Sequence, residues 1–332
     1  MATGGGEEAT AQRILRITDI AHEPLRLIAP IGGYEEMPIV TLEKAVEPLV
    51  PVLPAVQSYA YVAKQMCEDP ADGLTQDESA SIMLYTMGWE PLDKCLYFVL
   101  NDTLRSSERQ QKLKPWYLFM RLFLSALFRL PSLTKTAYRG VKLDLSKRYI
   151  EGKTIVWWGF SSCTTVVNVL NSDQFLGTKG DRSLFTLHCL SAKDIRKHSY
   201  YPAEDEVLLM AATQFKVIGC LNQGDLHIIQ LEETRPPYPL LISVPIVAPL
   251  PINPTSTEAS ITTAVVTTEA KKQTQSSKSQ KDTTAVAATA SAINVGTGSI
   301  MKQVRKNHYR KWIFIKYLVS LDIYHGNQSV AK

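Results

Sequence analysis

An α+β fold, helical in its first half and strand-rich in its second, is what this sequence predicts. Two observations lead there. Between residues 56 and 131 apolar residues recur at helical spacing. From Thr136 the pattern changes to short runs rich in β-branched and aromatic residues, separated by turn residues. The two patterns occupy separate halves, which argues against an alternating α/β chain and for strands packed in antiparallel sheets.

Each segment is justified in turn. Residues 1–55 read as an irregular lead-in: Gly4-Gly5-Gly6 opens it, and Pro24, Pro30, Pro38, Pro48, Pro51 and Pro54 cut its apolar runs. Thr75-Gln76-Asp77-Glu78 is a capping box, with Thr75 as N-cap and Glu78 returning to it. Ile82, Met83, Tyr85, Thr86 and Trp89 follow as a helical stripe, and Leu92, Leu96, Val99 and Leu100 form another. Pro115 suits the first turn of a helix over Trp116–Leu130. Trp89 and Trp116 lie on such stripes and are assigned to the core. Predicted strands are Tyr138–Val141, Ile155–Trp158, Leu184–Leu190, Val207–Met210, Phe215–Leu221 and Leu226–Leu231. Residues 56–240 are expected to form the folded domain.

Residues 241–300 start Pro-rich and continue in Thr, Ser, Ala and Lys, a composition that buries too little to offset chain entropy; a disordered linker is predicted. The tail, 301–332, sets Tyr309, Trp312, Phe314, Tyr317 and Tyr324 among seven basic residues and Asp322. Contact with an anionic membrane surface or a partner helix, and a docked helix without a role, both stay open.

Bulk properties exclude several classes. A net charge of +4 over 332 residues does not mark a nucleic-acid binder. The five cysteines (Cys67, Cys95, Cys163, Cys189, Cys220) form no Cys-x-x-Cys pair. Their odd number fits free thiols in a reducing compartment, and an intracellular chain without signal peptide or membrane span is expected. No G-x-G-x-x-G, Walker A or His-Glu-x-x-His motif occurs, the six histidines are scattered, and no metal is expected. Gly159-Phe160-Ser161-Ser162-Cys163 begins like a hydrolase nucleophile elbow, with Asp194 and His227 following. Cysteine replaces the glycine that the strained turn requires, which counts against a serine hydrolase.

Three segments carry a positive signal. They are Tyr138-Arg139-Gly140 at the start of a strand, the block from Trp157 to Thr164, and Glu204-Asp205-Glu206 ahead of Val207–Met210. In this order, over residues 60–235, they resemble the Arg–Ser–Glu signature of the arginine-specific mono-ADP-ribosyltransferases. The resemblance implies two small, packed, mostly antiparallel sheets behind the helices. It implies NAD as substrate, with NADP as an alternative, no metal cofactor, and a protein acceptor modified on arginine. It places Tyr138, Arg139, Gly140, Ser161, Ser162 and Phe175 at NAD. Arg139 would hold phosphate, Ser162 would support the nicotinamide ribose, and Phe175 would stack on nicotinamide. Cys163 and Thr164 depart from the family's Thr and Ser, so Ser161 shares the candidacy with Ser162. Glu206 would be the catalytic carboxylate and Glu204 would prepare the acceptor. Both are expected to point one way through strand alternation. Tyr200 and Tyr201 lie in the segment that recognises the acceptor. An NAD glycohydrolase and a non-catalytic interaction module are the alternatives.

Overall fold

The computed structural model describes residues 19–24, 27–172 and 175–244. The expectations for the first 18 residues, for the linker from 245 onward and for the basic tail lie outside these residues.

Among the described residues six α-helices occupy the first half: α1 (Leu42–Val46), α2 (Val56–Met66), α3 (Gln76–Thr86), α4 (Leu96–Arg105), α5 (Arg109–Lys112) and α6 (Tyr117–Arg129). The capping box forms as predicted: Thr75 Oγ1 accepts the Glu78 N–H, and the Glu78 carboxylate accepts the Thr75 N–H at 2.7 Å. Beyond it, α3 differs from a one-sided stripe, because every residue from Glu78 to Thr86 is buried. Its hydroxyls tolerate this by bonding inside the protein: Ser81 donates to the Glu78 carbonyl and Thr86 to the Met83 carbonyl. Pro115 sits in a 3-10 turn, Lys114–Trp116, that leads into α6. Trp89 and Trp116 are both buried; Trp89 stacks on Tyr59 at 4.3 Å, and Trp116 meets Phe119 edge-on.

The lead-in contributes a 3-10 turn at Asp19–His22, helix α1, and buried Ile20, Ile31, Tyr34, Leu42 and Leu49. Ile31 bonds through its backbone to Leu240 and Ile242, so chain from both ends of the folded region closes together.

Nine strands follow among the described residues: β1 (Ser132–Leu133), β2 (Thr136–Val141), β3 (Thr154–Trp157), β4 (Ser161–Thr164), β5 (Arg182–His188), β6 (Ala192–Asp194), β7 (Glu206–Leu209), β8 (Thr213–Gln223) and β9 (Leu226–Thr234). Their order is β1-β6-β7-β4-β2-β5-β9-β8-β3, antiparallel except for the β5–β9 pair. The chain is α+β. The two expected sheets are joined into one by a single residue pair between β2 and β4, Tyr138 with Thr164. The reason is that each strand spends most of its pairing on its other neighbour: β2 on β5 throughout, β4 on β7. The halves share one core, in which Trp157, Phe185, Phe215 and Ile229 meet Ala192, Val207 and Leu209. Strands β1, β4 and β6 were not predicted; they are too short and too polar to show alternation.

Candidate active site

The aromatic block between β3 and β4 is built from both halves of the protein. Trp157 enters the sheet core against Phe185 and Phe215. Trp158 lies under the Arg109 guanidinium, 4.0 Å from the ring centroid. Phe160 enters the helical core beside Tyr85 and Phe123. Gly159 passes so close to α4 that a Cβ would lie 2.5 Å from Arg105 Nη2.

The backbone here has no ladder partner, and buried side chains replace one. The Glu23 carboxylate accepts the Trp158 N–H at 2.6 Å and the Gly159 N–H at 3.2 Å, and also the Arg105 Nε–H at 2.6 Å. Asn101 Oδ1 accepts the Phe160 N–H at 2.9 Å, while its Nδ2 donates to the Phe160 carbonyl at 3.1 Å. Strand β4 therefore starts from a fixed point.

A cleft opens where β4 meets β2. Tyr138, Arg139, Gly140, Ser162, Phe175, Glu204 and Glu206 line it, together with Cys163, Thr164, Val169 and Leu170. Arg139 is 3% exposed and donates from Nη1 to the Ser162 carbonyl at 3.0 Å, a side-chain link across the seam. Gly140 is required by close approach: a Cβ would lie 2.7 Å from Leu176 Cβ and 3.2 Å from its backbone. That contact keeps the turn bearing Phe175 against β2.

The acidic motif is not an alternating strand. Glu204 ends a 3-10 turn begun at Pro202, Asp205 adopts a left-handed conformation (φ 47°), and only Glu206 enters β7. The shared orientation of Glu204 and Glu206 towards the cleft comes from that reversal at Asp205, which corrects the alternation argument. Arg196 bonds Asp194 and reaches Asp205 at 3.2 Å. This pairing holds the Asp194 carboxyl below the usual range and raises the Arg196 guanidinium. Thr164 pairs with Glu206 across β4 and β7, and its Oγ1 donates to the Glu204 carbonyl at 3.2 Å.

Not every candidate reaches the cleft. Ser161 is 1% exposed and does not line it. Tyr200 and Tyr201 are half-buried, packed edge-on at 4.9 Å, and outside the lining. A hydrolase triad does not form: Asp194 is held by Arg196, and His227 lies beside Asn222 and Asp144. One residue that sequence reasoning missed touches the acidic motif: Ser199 Oγ donates to Glu206 Oε2 at 2.8 Å. Its only sequence signal is a position seven residues ahead of Glu206, in a segment that reads as a polar loop.

All five cysteines are unbridged, and only Cys220 is exposed. Among the described residues no group of three or more His, Cys, Asp or Glu is placed to hold a metal ion, and no helix is long and apolar enough to cross a membrane.

A search of curated proteins finds no match. Among solved structures, the ADP-ribosyltransferase Vis of Vibrio splendidus in complex with agmatine is 21% identical, with 61% of this chain and 90% of that chain covered, at a TM-score of 0.39. HopU1 of Pseudomonas syringae is 18% identical over 70% and 98%, at 0.40. A mutant of the eukaryotic mono-ADP-ribosyltransferase ART2.2 in complex with NADH is 18% identical over 65% and 98%, at 0.45. The family model described as NAD:arginine ADP-ribosyltransferase matches residues 55–236, which is more than half of the sequence and includes every residue lining the cleft. On that match, the chain belongs to the NAD:arginine ADP-ribosyltransferase family.

Proposed function

We propose that the chain transfers ADP-ribose from NAD to an arginine side chain of a protein, releasing nicotinamide. NAD-dependent ADP-ribosyl transfer is the chemistry of its family. The observation that carries the arginine reading is the convergence of Glu204 and Glu206 on the cleft that also presents Arg139 and Ser162.

A buried guanidinium offers a planar fork of donors to phosphate, so Arg139 holds the NAD pyrophosphate. Ser162 supports the nicotinamide ribose, and Phe175 gives the nicotinamide ring an apolar face. The bond from C1′ to the nicotinamide nitrogen breaks, and its electron pair leaves with nicotinamide. Positive charge develops on the ribose, as in glycoside cleavage. The buried Glu206 carboxylate stabilises that charge where it arises, without solvent reorganisation. A guanidinium, with a pKa above about 12, is a poor nucleophile. Glu204 takes its proton as the nitrogen bonds to C1′, a contribution on the order of 10²–10⁴ in rate. Tyr200 and Tyr201, outside the cleft, are assigned to the docked acceptor protein.

The test uses the full chain with NAD, with and without a small guanidino acceptor, following nicotinamide and labelled acceptor together. Glu206→Gln is expected to abolish both products, and Glu204→Ala to spare nicotinamide release while removing transfer. Release without labelled acceptor would point to an NAD glycohydrolase or to a different acceptor residue. An unchanged turnover in Glu206→Gln would overturn the mechanism.

A further inference from the structure

The segment 195–201 packs between α3 and the acidic motif, and nearly every residue of it is pinned. Ile195 is fully buried, and its N–H reaches the Glu206 carbonyl at 3.3 Å. His198, also fully buried, has Nδ1 2.9 Å from Ser79 Oγ on α3 and Nε2 3.3 Å from Asp72. The Tyr200 N–H donates to Thr86 Oγ1 at 2.8 Å, again on α3. Between these anchors stands Ser199, 4% exposed, against a Glu206 that is 3% exposed.

The Ser199 hydroxyl makes two bonds. Its oxygen accepts the Tyr201 N–H at 3.1 Å, and its single proton goes to Glu206 Oε2 at 2.8 Å. A hydroxyl that accepts and donates at once is a stronger donor than an isolated one. The residues on both sides of Ser199 are tied to α3, His198 through its side chain and Tyr200 through its backbone N–H, which sets the place of the hydroxyl against the carboxylate.

Resting on the reading that Glu206 is the catalytic carboxylate, we propose that Ser199 is a positioning residue that holds Glu206 in the orientation needed at the transition state. Electrostatic catalysis depends on a charge being in place before the reaction begins. Ser199 acts on that requirement through Glu206. Its loss therefore falls on the chemical step and leaves NAD binding, which Arg139 and the cleft walls supply, almost unchanged. A serine that merely packed the loop would give a different signature: lost stability, or a raised KM, with kcat intact.

The experiment compares nicotinamide release by the full chain, Ser199→Ala, Ser199→Thr and Glu206→Gln over a range of NAD concentrations, with thermal midpoints recorded. Ser199→Ala is expected to lower kcat about tenfold to a hundredfold, the scale of a misplaced catalytic group. Its KM for NAD should stay within about twofold. Ser199→Thr keeps the donor and is expected to return kcat to within about threefold of the parent. An unchanged kcat in Ser199→Ala, with Glu206→Gln inactive, overturns the positioning role alone. An equal loss in the Ala and Thr proteins at unchanged thermal stability also overturns it. A parent without turnover, or an active Glu206→Gln, overturns the reading of Glu206 and this inference with it.

Discussion

Removing the Glu23 carboxylate is expected to destabilise the protein severely, although Glu23 lies far from the cleft residues in sequence. Glu23 is 5% exposed and Arg105, its ion-pair partner at 2.6 Å, is 7% exposed. Glu23→Ala removes the carboxylate paired with that buried guanidinium, and breaking a buried pair costs about 3–5 kcal/mol. It also orphans the Trp158 and Gly159 N–H groups, at about 1–3 kcal/mol each before relaxation. Water entering the vacated space offsets part of the sum, so about 4 kcal/mol is the expected loss. For a domain of this size that lowers the thermal midpoint by roughly 10 °C. The assay is a double-mutant cycle in urea with Glu23→Ala, Arg105→Leu and the double variant. Because Arg105→Leu removes the part of the loss that comes from the broken charge pair, the double variant should be more stable than Glu23→Ala alone. A single-mutant loss below about 1 kcal/mol, or strict additivity across the cycle, would refute the claim that this pair clamps the start of β4.

Two further outcomes can be checked directly. Gly140→Ala puts a methyl 2.7 Å from Leu176 Cβ and 3.2 Å from its backbone, so the turn bearing Phe175 must move. A loss of about 1–3 kcal/mol in stability and a weaker NAD half-saturation are expected, by urea unfolding and initial rates, and unchanged values would refute the close-approach argument. Burial pushes the His198 imidazole below its ordinary value of 6.5, against the opposing pull of Asp72. A depressed pKa in the folded state means that the contribution is present above the unfolded value and is lost as pH falls through the folded one. The thermal midpoint should therefore drop on acidification below about 6.5 more steeply than in His198→Gln, and parallel curves would sink the assignment.

The parts of the site visible in the sequence are those whose chemistry demands a residue type. An arginine within a strand, a serine after an aromatic block and two carboxylates two residues apart can be matched without coordinates. They do converge on one cleft. The supporting contacts leave no such trace. Asn101 reaches Phe160 across 59 residues and Glu23 reaches Trp158 across 135, and neither pairing has a period or a motif. Ser199 reads as one more polar loop residue until the fold places it on Glu206. The common direction of Glu204 and Glu206 was anticipated for a strand reason that does not apply. A positive φ at Asp205 is a local feature that an aspartate permits but does not announce. In the helical half, the capping box specified where α3 starts, but not that all its faces are covered, since that depends on α2 and α6 arriving from elsewhere in the chain.

The single residue pair joining the halves of the sheet makes the seam at the cleft a mechanical joint. Arg139 and Gly140 belong to one side of that joint, and Ser162, Glu204 and Glu206 to the other. A dinucleotide lying across it would act as a suture, supplying between β2 and β4 the cohesion that their ladder lacks. Occupied protein would then resist shear of one half past the other. The stiffening would be greatest along the seam and would fade towards β1 and β3, the outermost strands of the sheet.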